Sequence, residues 1–345
     1  MKALVFNGPG DKTWTEVPDP QIVDPRDAII RVDAVTICGT DLHILGGDVP
    51  EVESGRILGH EAVGTVVSVG AGVSGLAPGD RVLASCISAC GTCRYCREGA
   101  YGQCRNGGGW ILGHLVDGVQ AQYARLPFAD LSTYKLPATV SDEAAVMLAD
   151  ILPTSYEVGV LNGHVRPGDT VAIVGSGPIG LAASLTAKLY SPSHIIAIDK
   201  ADSRLEAAKM FGADLVAKPE TATDTVMSAT GGLGADVVIE AVGTPATFEL
   251  CTTLVRPGGR VANIGVHGKP ATLHLEDLWI RNVTITTGLV DTYSTPTLLT
   301  MLSAGQLDLG HMITHRFPLD AFIEAYDVFG NAANTGALKV VLSRS

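Results

Sequence analysis

Apolar residues recur at alternate positions, in short runs, through the first part of the chain. "DAIIRVDAV", "AVGTVVSVG" and "GDRVLAS" are β-branched or apolar segments parted by Gly, Pro and Asp turns, and they predict an all-β region over residues 1 to about 150. The opening "MKALVFNGPG" predicts a strand and a turn. Two stretches, "VTICGTDLHILGG" from Val35 to Gly47 and "ILGHEAVG" from Ile57 to Gly64, read as strand or loop, yet both carry groups that bind metals or move protons. The pattern shifts at "SDEAAVMLADILPTSYEVGV", where Ser141, Asp142 and Glu143 form a helix start and the run is helix-rich.

From Thr170 strand and helix patterns alternate. "TVAIVG", "HIIAID", "ADLVAK", "ADVVIEAVG", "GRVANIG" and "NVTITTG" predict strands, while "PIGLAASLTAKLY", opened by Pro178, and "ADSRLEAAKMFGA" predict helices. This alternation predicts an α/β chain with a doubly wound parallel sheet. The tail predicts a short helix, then "HRFPLDAFIEAYDVFG" and a last strand "ALKVVLS", a segment able to rejoin the first domain. The division expected is a β-rich domain over 1–153 with a cysteine-rich lobe at about 86–110, a dinucleotide-binding domain over 154–292, and a C-terminal return over 293–345.

Composition narrows the picture. With 345 residues, 46% of them hydrophobic and 17% charged, the chain is long enough for two cores and too apolar for disorder. A formal net charge of −12, with no basic block against it, makes nucleic acid and anionic membranes poor partners. No apolar run approaches the roughly 20 residues of a membrane helix, and the N-terminal segment lacks a signal-peptide core. The expectation is a soluble, cytoplasmic protein. Seven cysteines, four of them clustered, favour metal over disulfides in such a chain. Cys86 and Cys251 read as plain buried thiols.

Three groupings carry chemistry. "GSGPIG", with Gly175, Gly177 and Gly180, follows a predicted strand and opens a predicted helix at Pro178 and Ile179, the context a dinucleotide fingerprint requires. Its helix N-terminus offers free amides to a pyrophosphate. Asp199 closes the next predicted strand, where a carboxylate accepts ribose hydroxyls and repels a 2′-phosphate, so NAD is favoured over NADP. Lys200 and Arg204 soften that discrimination. Cys90, Cys93, Cys96 and Cys104 can close tetrahedrally around a structural zinc with no open position. Cys38 and His60 are zinc-suited donors with Thr40, Asp41, His43 and Glu61 within a few residues of them.

"ICGTDLH", "GHEAVGTV", the four-cysteine lobe, "GSGPIG" and the closing "GALKVV" together resemble the zinc-dependent medium-chain alcohol dehydrogenases, in the family's order and over essentially the whole chain. The resemblance implies a GroES-like catalytic domain joined to a Rossmann domain, two zinc ions per chain, and reversible NAD-linked hydride transfer between secondary (and some primary) alcohols and ketones or aldehydes. Polyol, butanediol or threonine dehydrogenase is the alternative within the family. A catalytically silent or zinc-free reductase relative is the alternative outside that chemistry. It further implies a catalytic zinc on Cys38, His60 and, where other members have cysteine, Asp150, with Glu61 coordinating transiently or orienting a ligand. Thr40 and His43 correspond to the hydroxyl and the terminal base of the family's proton relay. Thr154 corresponds to the position that packs on the nicotinamide. Val242, Val266 and Leu289 fall at cofactor-contacting strand ends, and Trp110, with Thr40 and Leu289, at the substrate pocket. Relatives are dimers or tetramers, so a homo-oligomer is expected.

Overall fold

The computed structural model describes residues 1–344. Its contacts divide it into two compact units, one of residues 1–150 and 290–345, the other of residues 151–289.

In the first unit, strand Ala28–Thr36 alternates buried and partly exposed positions and pairs antiparallel with Ala62–Val69, Tyr123–Leu126 and the C-terminal Lys339–Ser343. Period-two burial of this kind is what a sheet with one face on a core demands. The last strand thus returns to the β-rich unit, with Val341, Leu342 and Ser343 opposite Thr36, Val35 and Ala34. The core holds Leu4, Ile30, Val32, Leu58 and Phe322 among others, all fully buried.

One local expectation fails. Gly39–Gly46 is an α-helix rather than strand or loop. The Asp41 carboxylate accepts the backbone N–H of Cys38 at 2.9 Å, satisfying a donor at the helix start. Gly47 closes the helix in the left-handed region at φ 83°, where glycine carries no Cβ penalty. That helix places Cys38, Thr40 and Asp41 at its N-terminal end and His43 in its last turn, rather than along a strand.

The second unit is a six-stranded parallel sheet. Its order runs Leu215–Ala217, His194–Ile198, Thr170–Val174, Ala235–Glu240, Val255–Asn263, Thr284–Thr287. Numbered along the chain this is 3-2-1-4-5-6, the doubly wound dinucleotide-binding order. Strand Thr170–Val174 is buried at every position, as a central parallel strand covered on both faces must be. Pro178 sits in the first turn of helix Pro178–Ala187.

Candidate active site

Cys38, His60 and Asp150 come from three separate segments of the first unit, and their donor atoms lie within 4.8 Å of one another. Cys38 ends the strand-to-helix turn, His60 precedes strand Ala62–Val69, and Asp150 follows the helical run after Ser141. Cys38 Sγ is 3.7 Å from Asp150 Oδ2, and His60 Nε2 is 3.4 Å from the same oxygen. Zinc bonds of about 2.3 Å to sulfur and about 2.1 Å to nitrogen or oxygen, at tetrahedral angles, set donor separations of about 3.6 Å and about 3.4 Å. The observed spacing fits such a cation. So does the electrostatics: burial and then the Glu61 charge push the Cys38 thiol up, a cost that a cation among the donors removes.

Thr40 Oγ1 lies 3.6 Å from Cys38 Sγ. Trp110 sets its ring edge-to-face on His60, centroids 6.3 Å apart, stacks on His114 at 4.2 Å, and packs against the core of the β-rich unit. His43 is 36% exposed and meets Asp48 Oδ2 through Nδ1 at 2.8 Å. Glu61 is 1% exposed, with Oε2 held by Lys339 Nζ at 2.6 Å, and Lys339 also donates to the Ile37 carbonyl at 3.2 Å. Burial raises the Glu61 carboxyl, opposed by the Lys339 charge. Burial also works against the Lys339 ammonium, but Glu61, Cys38 and Asp150 outweigh it and hold it above the usual lysine range.

Sequence reasoning missed Lys339, Asp48, Gln120 and Tyr326. Lys339 had a signal, a cation inside the buried final strand "ALKVVLS", where an unpaired charge is too costly to be incidental.

Cys90, Cys93, Cys96 and Cys104 form a second donor set within the same limit. Cys90 Sγ and Cys96 Sγ are 3.8 Å apart, against about 3.8 Å for two sulfurs on one tetrahedral zinc. Burial raises the Cys90 thiol, but the Thr92 hydroxyl and the amides of Thr92 and Cys93 outweigh it, bringing it down to about 6. Cys96, raised by burial and then by its sulfur neighbours, is pushed up to about 12. Four sulfurs so close cannot all ionise until a cation sits among them. No disulfide joins the seven cysteines, and Cys86 and Cys251 are buried.

In the second unit, the "GSGPIG" turn leads into a helix N-terminus that could take a phosphate. A Cβ at Gly180 would collide with the Gly175 carbonyl, so only glycine lets this helix pack on that turn. A Cβ at Gly177 would meet nothing within 4 Å, leaving open space in front of the helix N-terminus of Pro178, Ile179 and Gly180. Asp199 is 9% exposed; Oδ2 accepts from Ser176 N at 2.8 Å and Oδ1 from Ala201 N at 2.9 Å. Each carboxylate oxygen keeps a further lone pair for a ribose hydroxyl. Arg204 Nη1 is 3.8 Å from Asp199, while Lys200 is exposed. Val242, Val266 and Leu289 are exposed apolar residues just past the carboxyl ends of three sheet strands, where doubly wound sheets bind ligands. Thr154 ends helix Ile151–Thr154.

Comparison with known proteins agrees with this geometry. The family model of the alcohol dehydrogenase GroES-like domain matches residues 24–138, and that of zinc-binding dehydrogenases matches residues 178–304. An alcohol dehydrogenase of Cupriavidus necator is 38% identical over 363 aligned residues, covering 99% of this chain and 98% of that one. The apo structure of zinc-dependent alcohol dehydrogenase 2 from Streptococcus pneumoniae is similar with a TM-score of 0.96 and 49% identity, over 100% of this chain and 99% of that one. The alcohol dehydrogenase of Thermus sp. ATN1 follows with a TM-score of 0.92 and 38% identity, over the whole of both chains. Two domain models in order and relatives matched from end to end leave one reading: the chain belongs to the zinc-dependent medium-chain alcohol dehydrogenase family, oxidoreductases that act on alcohols.

Proposed function

We propose that the protein is an NAD-dependent dehydrogenase of secondary alcohols, with Cys38, His60 and Asp150 holding a catalytic zinc and Cys90, Cys93, Cys96 and Cys104 a structural one. The observation that carries this is the donor spacing at Cys38, His60 and Asp150, matched to tetrahedral zinc with one position left over. When bound, zinc supplies Lewis acidity at an alcohol oxygen and NAD supplies a hydride acceptor.

The chain's own residues manage the proton and the charge. One thiolate and one carboxylate, from Cys38 and Asp150, balance a dication, while His60 adds none. The position of the Thr40 hydroxyl beside Cys38 supports a role in holding the alcohol proton. His43 meets solvent, and its Nδ1 contact with Asp48 leaves Nε2 as the basic nitrogen, the tautomer a terminal proton acceptor needs. Glu61, next to His60, is restrained by Lys339, which supports an orienting role over free coordination. The flat indole of Trp110 against His60 supports a pocket wall that ranks ketone substituents by size.

NAD preference rests on Asp199, whose charge opposes a 2′-phosphate. A reducing, cytoplasmic setting is supported by seven cysteines without a disulfide, four of them clustered as metal donors. Among the described residues no helix is long and apolar enough to cross a membrane. Homo-oligomer assembly is supported by the exposed side chains of Leu275, Trp279 and Ile280, close in sequence to the edge strand Thr284–Thr287.

Initial rates with NAD across primary alcohols, secondary alcohols, diols and threonine test the proposal. The expected ranking puts secondary alcohols first. Turnover confined to threonine or diols would replace the substrate assignment, and none with any alcohol would remove it.

A further inference from the structure

Asp41 is 1% exposed, yet it belongs to no donor set. Its Oδ2 takes two hydrogen bonds, from the Cys38 amide at 2.9 Å and from Gln120 Nε2 at 3.0 Å. Its Oδ1, buried and without a hydrogen-bonding partner, faces His60 Nδ1 at 3.9 Å. Gln120 is fully buried, and its Oε1 accepts from the Tyr326 hydroxyl at 2.8 Å; Tyr326 is 2% exposed on helix Phe322–Gly330. The tyrosine donates to Oε1, which commits Nε2 to the carboxylate, so the amide has one satisfied orientation.

Backbone geometry fixes Gln120 as firmly. Its amide donates to the Leu58 carbonyl at 2.9 Å and its carbonyl accepts from Leu4 at 2.8 Å. A Cβ at Gly59 would collide with the Gln120 side chain, so the residue before His60 is a glycine that lets this glutamine lie against the histidine's own segment.

We propose that Tyr326 and Gln120 are positioning residues for the donor set of Cys38, His60 and Asp150, acting through Asp41. The proposal rests on the reading of that set as a zinc site. Donor histidines commonly offer their second ring nitrogen to a carboxylate, which sets the ring's orientation and basicity. Asp41 stands where that carboxylate belongs, and a closure of about 1 Å would bring Oδ1 to hydrogen-bonding distance of Nδ1. The same carboxylate anchors the turn that carries Cys38. Two of three donors therefore depend on one side chain, and that side chain is aimed by a glutamine and a tyrosine from distant parts of the chain. Loss of the tyrosine hydroxyl leaves the buried Oε1 without its donor and the Gln120 amide without its second anchor, so the amide can drift from Asp41, loosening both donors without touching either.

Metal release from the holoenzyme to a chromophoric chelator tests this, with the four-cysteine ion as internal reference. Tyr326→Phe keeps the ring, and Gln120→Met keeps the length. Each is expected to speed release of one ion per chain about tenfold and leave the other unchanged, within the range for loss of a carboxylate-type support. The double variant is expected to release no faster than the more affected single one, because both act through one link. The visible absorption of cobalt placed at the three-donor site should shift in the same variants. Wild-type release with an unshifted spectrum overturns the proposal. Faster loss of both ions with a lowered melting temperature also overturns it, by making the residues merely structural. A wild-type protein that binds only the four-cysteine ion overturns both the proposal and the zinc reading beneath it. Should Gln120→Met not fold, Tyr326→Phe alone decides.

Discussion

At the scale of single residues, Asp199 ties cofactor choice to fold. Its oxygens pin the Ser176 and Ala201 amides, so it braces the glycine turn, and the proposed ribose contact falls to the same carboxylate. Asp199→Gly is expected to shift preference towards NADP by removing repulsion of the 2′-phosphate, and to weaken NAD binding as the turn loosens. Ratios of kcat/KM for the two cofactors check it, and an NADP preference already present in the wild type would contradict it. His43 makes a second residue-level prediction. His43→Ala should slow alcohol oxidation most near neutral pH, where hydroxide and buffer base are scarce, and the loss should shrink as pH rises. An unchanged pH–rate profile would leave the His43–Asp48 pair a surface contact. Residues such as Asp199 and the fingerprint glycines were legible because their partners are close in sequence. Asp41 with Gln120, Gln120 with Tyr326, and Glu61 with Lys339 were not, since they lie 79, 206 and 278 residues apart. Only the folded topology creates those pairs.

Elements tell the same story on a larger scale. The six parallel strands and the glycine turn were readable from apolar runs and punctuation, because both depend on local sequence. The helix Gly39–Gly46 was hidden, being eight residues long, opening and ending on glycine, and held by an Asp41 contact that reads as mere metal chemistry in the sequence. The cysteine lobe was visible from spacing alone, and its weak spot follows from its make-up. It contains only the short helices Arg94–Arg97 and Tyr101–Gln103 and a small cluster of its own in which the cysteines take part. With so little apolar burial, metal binding has to supply the ordering free energy. Cys93→Ser is expected to lower yield and melting temperature and to expose the lobe to proteolysis, leaving the parallel sheet intact. Limited digestion reads this out directly; a lobe that resists cleavage in the variant would show that packing holds it without metal.

Across the whole molecule, the two cysteine-containing donor sets differ in kind. One is four sulfurs with no position left over; the other is sulfur, nitrogen and oxygen with room for a fourth group. A closed set of four sulfurs can only hold structure, whereas a set with an open position can do chemistry. Metal content per chain, measured together with NAD-linked alcohol oxidation for the wild type and Asp150→Ala, tests it most directly. Two zinc ions and activity are expected in the wild type, then one retained ion, a persistent fold and lost activity in the variant. A fully active wild type with one zinc or none, or an Asp150→Ala protein that keeps both ions and its rate, would contradict it.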